Sequence, residues 1–193
     1  MPDRWPTPSA SSIAAVGFGL TAYGVGVERG WISREQAVDR TLATLRFFAR
    51  APQGRNETGA SGYKGFFYHF LEMDSGLRAG TNELSTVDTA LLLGGVLFAQ
   101  TYYDGDDRKE DEIRRLAEKI YGRVEWPWAQ ARKPLISMGW KPEEGMLKYD
   151  WQGYNEALLV YVLALGSPTH PVGTDAYEAW RSEERRVGKE CED

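Results

Sequence analysis

Three stretches of the chain are nearly free of charge and apolar on every side. They are SSIAAVGFGLTAYGVGV (11–27), TVDTALLLGGVLF (86–98) and YNEALLVYVLAL (154–165). Asp88 and Glu156 are the only charges in the second and third, and each stands near the start of its stretch. A helix that is hydrophobic all round has to be buried all round. Each stretch is followed by one of the opposite kind. The segment 33–50 opens with Ser33-x-x-Gln36, a capping-box spacing, and then aligns Val38, Leu42, Leu45 and Phe48 on one face. The segment 108–124 sets Ile113, Leu116, Ala117, Ile120, Tyr121 and Val124 at helical intervals among charged residues. A third one-sided helix begins near Thr174.

Buried helix followed by surface helix, three times at a spacing of roughly 70 residues, predicts an inner layer enclosed by an outer one. A simple up-down bundle is the second reading, but it would make every helix amphipathic to a similar degree. The fold class expected is all-α, with short β-hairpin loops on one rim. Those loops are GYKGFFYHFLEM (62–73) and ISMGWKPEEGMLKYDW (136–151), rich in aromatics and in Gly or Pro. Both lead into apolar helices, which gathers Tyr63, Phe66, Phe67, Tyr68, Trp140, Trp151 and Tyr154 on one rim with Glu83, Asp88 and Glu156.

Composition narrows the chemistry. The 193 residues are 42% hydrophobic and 26% charged, which suits one globular domain. Seven Trp within 12% aromatics exceed what a core of this size needs, so part of the surplus is expected where flat faces stack on a ligand. The net charge of −5 argues against a nucleic-acid partner. One Cys and two well-separated His make a structural zinc site unexpected, and no metal or cofactor is assigned. The uncharged run 10–27 could be misread as a signal peptide, but its four glycines and lack of a Leu-rich centre count against that and against a membrane span.

Aromatic platforms beside carboxylates suit sugar binding and glycosidic cleavage, in which one acid protonates the leaving oxygen and one carboxylate activates water or attacks. Glu156 is the favoured general acid. The alternative is that it merely satisfies a helix N-terminus, which would also lower its pKa when an acid catalyst needs it raised. Asp88 and Glu83 carry the same alternative, because Ser85, Thr86 and Asp88 all suit a helix start. Asp104-Gly105-Asp106-Asp107 reads as a solvated turn capping the next helix, since a calcium loop would not place Arg108 fifth and would need a glutamate twelfth. His69 is expected in a packed or ligand-lining place and His170 in a turn, neither of them catalytic.

The stretches SIAAVGFGLTAYGVGVERGWIS, GYKGFFYHFLEMDSG, ELSTVDTALLLGGVLFA, WPWAQ, ISMGWKPEEG and WQGYNEALLVYVLALGSPTHP resemble the glycoamylase-like family, which includes bacterial endo-β-1,2-glucanases and a domain of cyclic β-1,2-glucan synthases. The resemblance spans 2–180 and implies an (α/α)6 toroid of which this chain carries about three of six helix pairs. It implies inverting hydrolysis without a metal, an oligo- or polysaccharide substrate, and a parent protein in the periplasm or secreted. By resemblance Glu156 is the general acid, Asp88 a cleft residue and Asp3 a rim residue. Glu83, Tyr63, Phe67, Trp140, Trp151 and Tyr154 complete the expected substrate-binding set. The general base is expected in a second half that this chain lacks. Trimming or transfer within a glucan synthase, and sugar binding without turnover, are the other readings. Residues 181–193 depart from the family pattern. RSEERRVGKEC looks like a translated sequencing adapter, so a disordered, non-native tail is expected there and Met1 is expected to be an internal methionine. Half a ring would leave inner helices exposed, so the chain alone is expected to aggregate and to lack activity.

Overall fold

The computed structural model describes residues 10–182. The first apolar stretch forms α1 (Ile13–Glu28), entered from a two-residue strand, β1 (Ser11–Ser12). Ser12 caps it by accepting from the Ala15 N–H at 3.3 Å. Helix α2 (Arg34–Arg50) starts where the capping box placed it. Gln36 N–H donates to Ser33 Oγ and Ser33 N–H donates back to Gln36 Oε1, both at 3.1 Å. The second apolar stretch runs four residues beyond its expected end, as α3 (Thr86–Tyr102). Asp107 then caps α4 (Arg108–Gly122) through the N–H groups of Lys109 and Glu110, the role its turn was assigned. After α5 (Leu158–Leu165) comes α6 (Thr174–Arg181).

The alternation of helix types translates into layers. Helix α3 packs against α1 on one side and α5 on the other, while α2 and α4 pack on each other and flank α1 and α3. The contact of α1 with α3 is close because both present glycine. A Cβ on Gly17 would lie 2.3 Å from the Leu91 carbonyl oxygen, and one on Gly95 would lie 2.1 Å from that of Gly17. Helix α3, covered on two sides, keeps Leu92, Leu93, Val96 and Ala99 fully buried. Helices α1 and α5 are covered less completely, and Phe18, Val25, Leu158 and Val162 remain exposed on them. Among the described residues no helix is long and apolar enough to cross a membrane.

The expectation of an all-α fold needs correction. Beyond the β1 pairing with β4 (Phe70–Leu71), five short strands form one continuous antiparallel sheet. They are β2 (Gly62–Tyr63), β3 (Phe66–Tyr68), β5 (Leu84–Ser85), β6 (Gly139–Lys141) and β7 (Gly145–Met146), paired in that order. Hairpins β2–β3 and β6–β7 match the two aromatic loops. The first turns through Lys64 and Gly65, both at positive φ (56° and 84°), a geometry that glycine adopts freely. What makes them one sheet is β5, which pairs Leu84 with both Tyr68 and Trp140. The protein is therefore a layered helical body with a small sheet at the N-terminal end of α3.

Candidate functional site

The junction of β5 and α3 is built by the sequence Ser85-Thr86-Val87-Asp88-Thr89. Ser85 caps α3 by accepting from the Asp88 N–H at 3.2 Å. Thr89 Oγ1 donates to the Ser85 carbonyl at 2.7 Å and accepts from the Phe67 N–H of β3 at 3.1 Å. Thr86 Oγ1 reaches the Ser137 carbonyl ahead of β6 at 2.8 Å and accepts from Trp151 Nε1 at 2.9 Å. The hydroxyls thus fasten the helix to three neighbouring segments. Asp88 lies in the first turn, where free N–H groups favour a carboxylate.

His69 stands beside it, between β3 and β4. Its Nδ1 is 2.9 Å from Glu83 Oε1, and its Nε2 is 3.6 Å from Asp88 Oδ1, ion-pair range but too long for a formed hydrogen bond. The other Asp88 oxygen accepts from Ser85 Oγ. The imidazole stacks on Phe70 with centroids 4.0 Å apart. The hydrogen bond from His69 holds the Glu83 carboxyl below the ordinary range for a glutamate, against the opposing effect of partial burial. The side chains of His69 and Glu83 are about a third exposed, and that of Asp88 less so. This cluster is open to one side.

Strands β2 and β6 of the sheet carry two members of an aromatic group. Tyr63 packs 5.2 Å from Trp140 and 5.4 Å from Trp128, and the two tryptophans are 5.8 Å apart. Tyr63 and Trp128 are partly exposed whereas Trp140 is nearly buried. Trp151 is partly exposed and fixed at the start of α3 by its bond to Thr86.

Not every expected residue falls here. Phe67 is fully buried, with Phe48 5.0 Å away edge-on and the Arg123 guanidinium over its ring at 5.0 Å, so it belongs to the interior and leaves the candidate site. Phe66 and Tyr68 are also fully buried. Asp3 lies outside the described residues. Glu156 was expected in the opening turn of the third apolar helix, but α5 starts two residues later, at Leu158. The cause is local. Gly153 adopts φ +81°, and Asn155 Oδ1 accepts from the Ala157 N–H at 3.0 Å and from Trp180 Nε1 at 3.3 Å, which keeps 153–156 as a loop. Glu156 is exposed on this loop, and Tyr154, 75% exposed, lies against Trp180 at 5.3 Å. Among the described residues no group of three or more His, Cys, Asp or Glu is placed to hold a metal ion.

His69, expected in a packed or ligand-lining place, stands beside two carboxylates of the candidate site. Its position five residues past Lys64 in an alternating aromatic run gave no indication that Glu83 and Asp88, 14 and 19 residues on, would close around it.

A layered helical body whose rim combines carboxylates with partly exposed aromatics is glycoside hydrolase-like. A family model described as "Glycoamylase: Putative glucoamylase" matches residues 148–192, the part that includes Trp151 and Glu156. An exo beta-1,2-glucooligosaccharide sophorohydrolase (non-reducing end) of Parabacteroides distasonis is 29% identical over 179 residues, 88% of this chain and 24% of that protein. The endo-beta-1,2-glucanase from Chitinophaga pinensis, solved with sophorotriose and glucose, is 25% identical with a TM-score of 0.82, over 96% of this chain and 44% of that one. A beta-1,2-glucanase structure from Parabacteroides distasonis is 26% identical with a TM-score of 0.78, over 93% of this chain and 26% of that one. In sequence and in fold the chain is thus similar to glycoside hydrolases of the glycoamylase-like kind. It spans about a quarter of the length of the curated relative and less than half of these solved structures.

Proposed function

We propose that the protein to which this chain belongs hydrolyses a β-1,2-linked glucan in a cup at the rim, with inversion of configuration. The observation that carries this reading is that the five-stranded sheet carries Tyr63 and Trp140, which pack with Trp128, while the Glu83–His69–Asp88 cluster gathers at its strands β3 and β5 and the start of α3. Carboxylates orient hydroxyls, and aromatic faces take the apolar face of a sugar ring. The relatives named above act on β-1,2-glucans or their oligosaccharides.

In this reading the chain contributes three of about six helix pairs of a toroid, and the exposed apolar sides of α1 and α5 are where the other pairs pack. Glu156 is the general acid. It is exposed in the chain alone, where bound glucan and the rest of the ring would cover it. Tyr154 and Trp151 flank it in sequence and offer aromatic surface. The water-activating carboxylate lies outside this chain. A periplasmic or secreted location fits a polymeric substrate.

The test is reducing-sugar release from linear β-1,2-glucan by the full-length protein, with the anomer of the first product followed by NMR. Release of the α-anomer, and its loss by about a hundredfold or more in Glu156→Gln, are the expected results. Release of the β-anomer would refute inversion, and undiminished release by the variant would remove Glu156 from the mechanism. Binding without release would make the protein a carbohydrate-binding module.

A further inference from the structure

The loop that carries Glu156 is held from behind by the outer helix α6. Trp180 on that helix is fully buried. Its carbonyl accepts from the Gly153 N–H at 2.7 Å, and its indole Nε1 donates to Asn155 Oδ1 at 3.3 Å. The same Asn155 oxygen accepts from the Ala157 N–H at 3.0 Å, while Asn155 Nδ2 donates to the Gln152 carbonyl at 3.0 Å. These partners fix which way the amide faces, because a flipped side chain would set its NH2 against two donors. The indole is fixed in turn by rings. Tyr161 and Tyr177 lie 5.5 Å from it and Tyr154 lies 5.3 Å from it. Tyr161 extends the chain of contacts, since its hydroxyl donates to the Trp151 carbonyl at 2.8 Å and accepts from the Ile136 N–H at 3.0 Å.

The conformation that competes with this loop is helix. The apolar pattern runs back to Tyr154, and with the Ala157 N–H released α5 could begin earlier than Leu158 and take in Glu156. Lengthening an existing helix by a residue or two is a small free-energy step, so the bonds of one asparagine side chain are enough to decide between the two. We propose that Trp180 is a positioning residue for Glu156, which holds 153–156 as a loop through its carbonyl and through Asn155 and so fixes where the Glu156 carboxyl stands. For its purpose this rests on the reading of Glu156 as general acid. Proton transfer demands a set geometry, and a displacement of about 1 Å can cost about a hundredfold in rate. A residue that only filled the interior would need neither the indole N–H nor Asn155.

The experiment is steady-state hydrolysis of linear β-1,2-glucan by the full-length protein carrying Trp180→Phe or Asn155→Ala, each alone and combined with Glu156→Gln. Trp180→Phe keeps a ring and removes the indole N–H. Asn155→Ala changes an exposed loop position, so it keeps the test open if the buried change prevents folding. Each variant should lower kcat by about ten- to a hundredfold and leave KM within about twofold of the parent. Neither should lower kcat further in the Glu156→Gln protein, because both act through that carboxyl. Parental kcat in Asn155→Ala, or an equal loss with and without Glu156, would overturn the proposal. Hydrogen exchange at the Trp180 indole separates it from the functional reading, and should quicken about tenfold in Asn155→Ala, the worth of one hydrogen bond. If Glu156→Gln alone keeps the parental kcat, the acid reading falls, and quickened indole exchange still retains Trp180 as the clamp of this loop. Unchanged exchange overturns the clamp in either case.

Discussion

Gly94 and Gly95 are neighbours in one helix, yet the structure demands opposite responses to the same substitution. In Gly95→Ala the new methyl would lie 2.1 Å from the Gly17 carbonyl oxygen and 2.7 Å from its carbonyl carbon. Both are backbone atoms of α1, so no side-chain rotation relieves the clash. Helices α1 and α3 must separate by more than an ångström, and an interface held at close-packed distance forfeits much of its dispersion energy over such a gap. Overpacking of this kind costs about 1–3 kcal/mol, and a rigid backbone contact belongs at the upper end. Alanine returns about 1 kcal/mol of helix propensity. The net loss expected is about 2 kcal/mol, read as a lower Tm. In Gly94→Ala the methyl meets Leu159 Cδ2 at 3.5 Å, ordinary van der Waals contact with α5. Only the propensity gain of about 1 kcal/mol remains, so this variant should melt higher than its parent. Scanning calorimetry of the full-length protein measures both. Gly17→Ala, whose methyl would lie 2.3 Å from the Leu91 carbonyl oxygen, should repeat the Gly95 result from the other side. A Gly95→Ala variant as stable as its parent, or a Gly94→Ala variant that loses as much, would refute the close approach of the two inner helices.

Two further outcomes follow from the outer layer and from the exposed faces. Glu110 is nearly buried and accepts from Arg34 Nε at 2.6 Å, from Arg34 Nη2 at 2.8 Å and from the Gly105 N–H at 2.7 Å. The Arg34 bond holds its carboxyl below the usual range, so its contribution is complete above about pH 4.5 and is lost as pH falls through the depressed folded value. Glu110→Gln should cost about 1–2 kcal/mol at pH 7, discounted because Arg34 is partly exposed. The gap from the parent in urea unfolding should close in acid, and a gap independent of pH would show that the ion pair is not its source. The 193-residue chain expressed alone should associate and bind a hydrophobic dye through Phe18, Val25, Leu158 and Val162. Sedimentation of a sharp monomer with a cooperative melt would contradict that expectation.

The sequence revealed most where local chemistry and burial agree. The capping box at Ser33 and Gln36 and the Asp107 cap depend on side chains three or fewer residues from their targets, and the structure keeps them as read. The one-sided stripe of α4 was equally legible, with Ile113, Ala117 and Ile120 fully buried. The sheet was not. Strand β5 has two residues, too few for any periodicity, and its pairing with both hairpins depends on contacts more than 15 residues away. Phe67 was misplaced for a related reason. All three residues of β3 are buried, so alternation between a wet and a dry face carries no information there. The early start assigned to α5 failed because apolar periodicity cannot register that Asn155 takes the Ala157 N–H for its own side chain.

The placement of Asp88 shows how one short sequence can serve both stability and chemistry. Ser85, Thr86 and Thr89 each use a hydroxyl to bind backbone or a tryptophan across the β5–α3 junction, so this turn is fixed from three directions. Between them Val87 faces the interior, and Asp88 is the position left pointing towards the rim. A carboxylate there gains from the helix start beneath it and from His69 beside it, yet it keeps access to solvent. The bland account of Asp88, a first-turn acid satisfying a helix, and the functional account, a fixed acceptor in a sugar cup, therefore describe the same geometry.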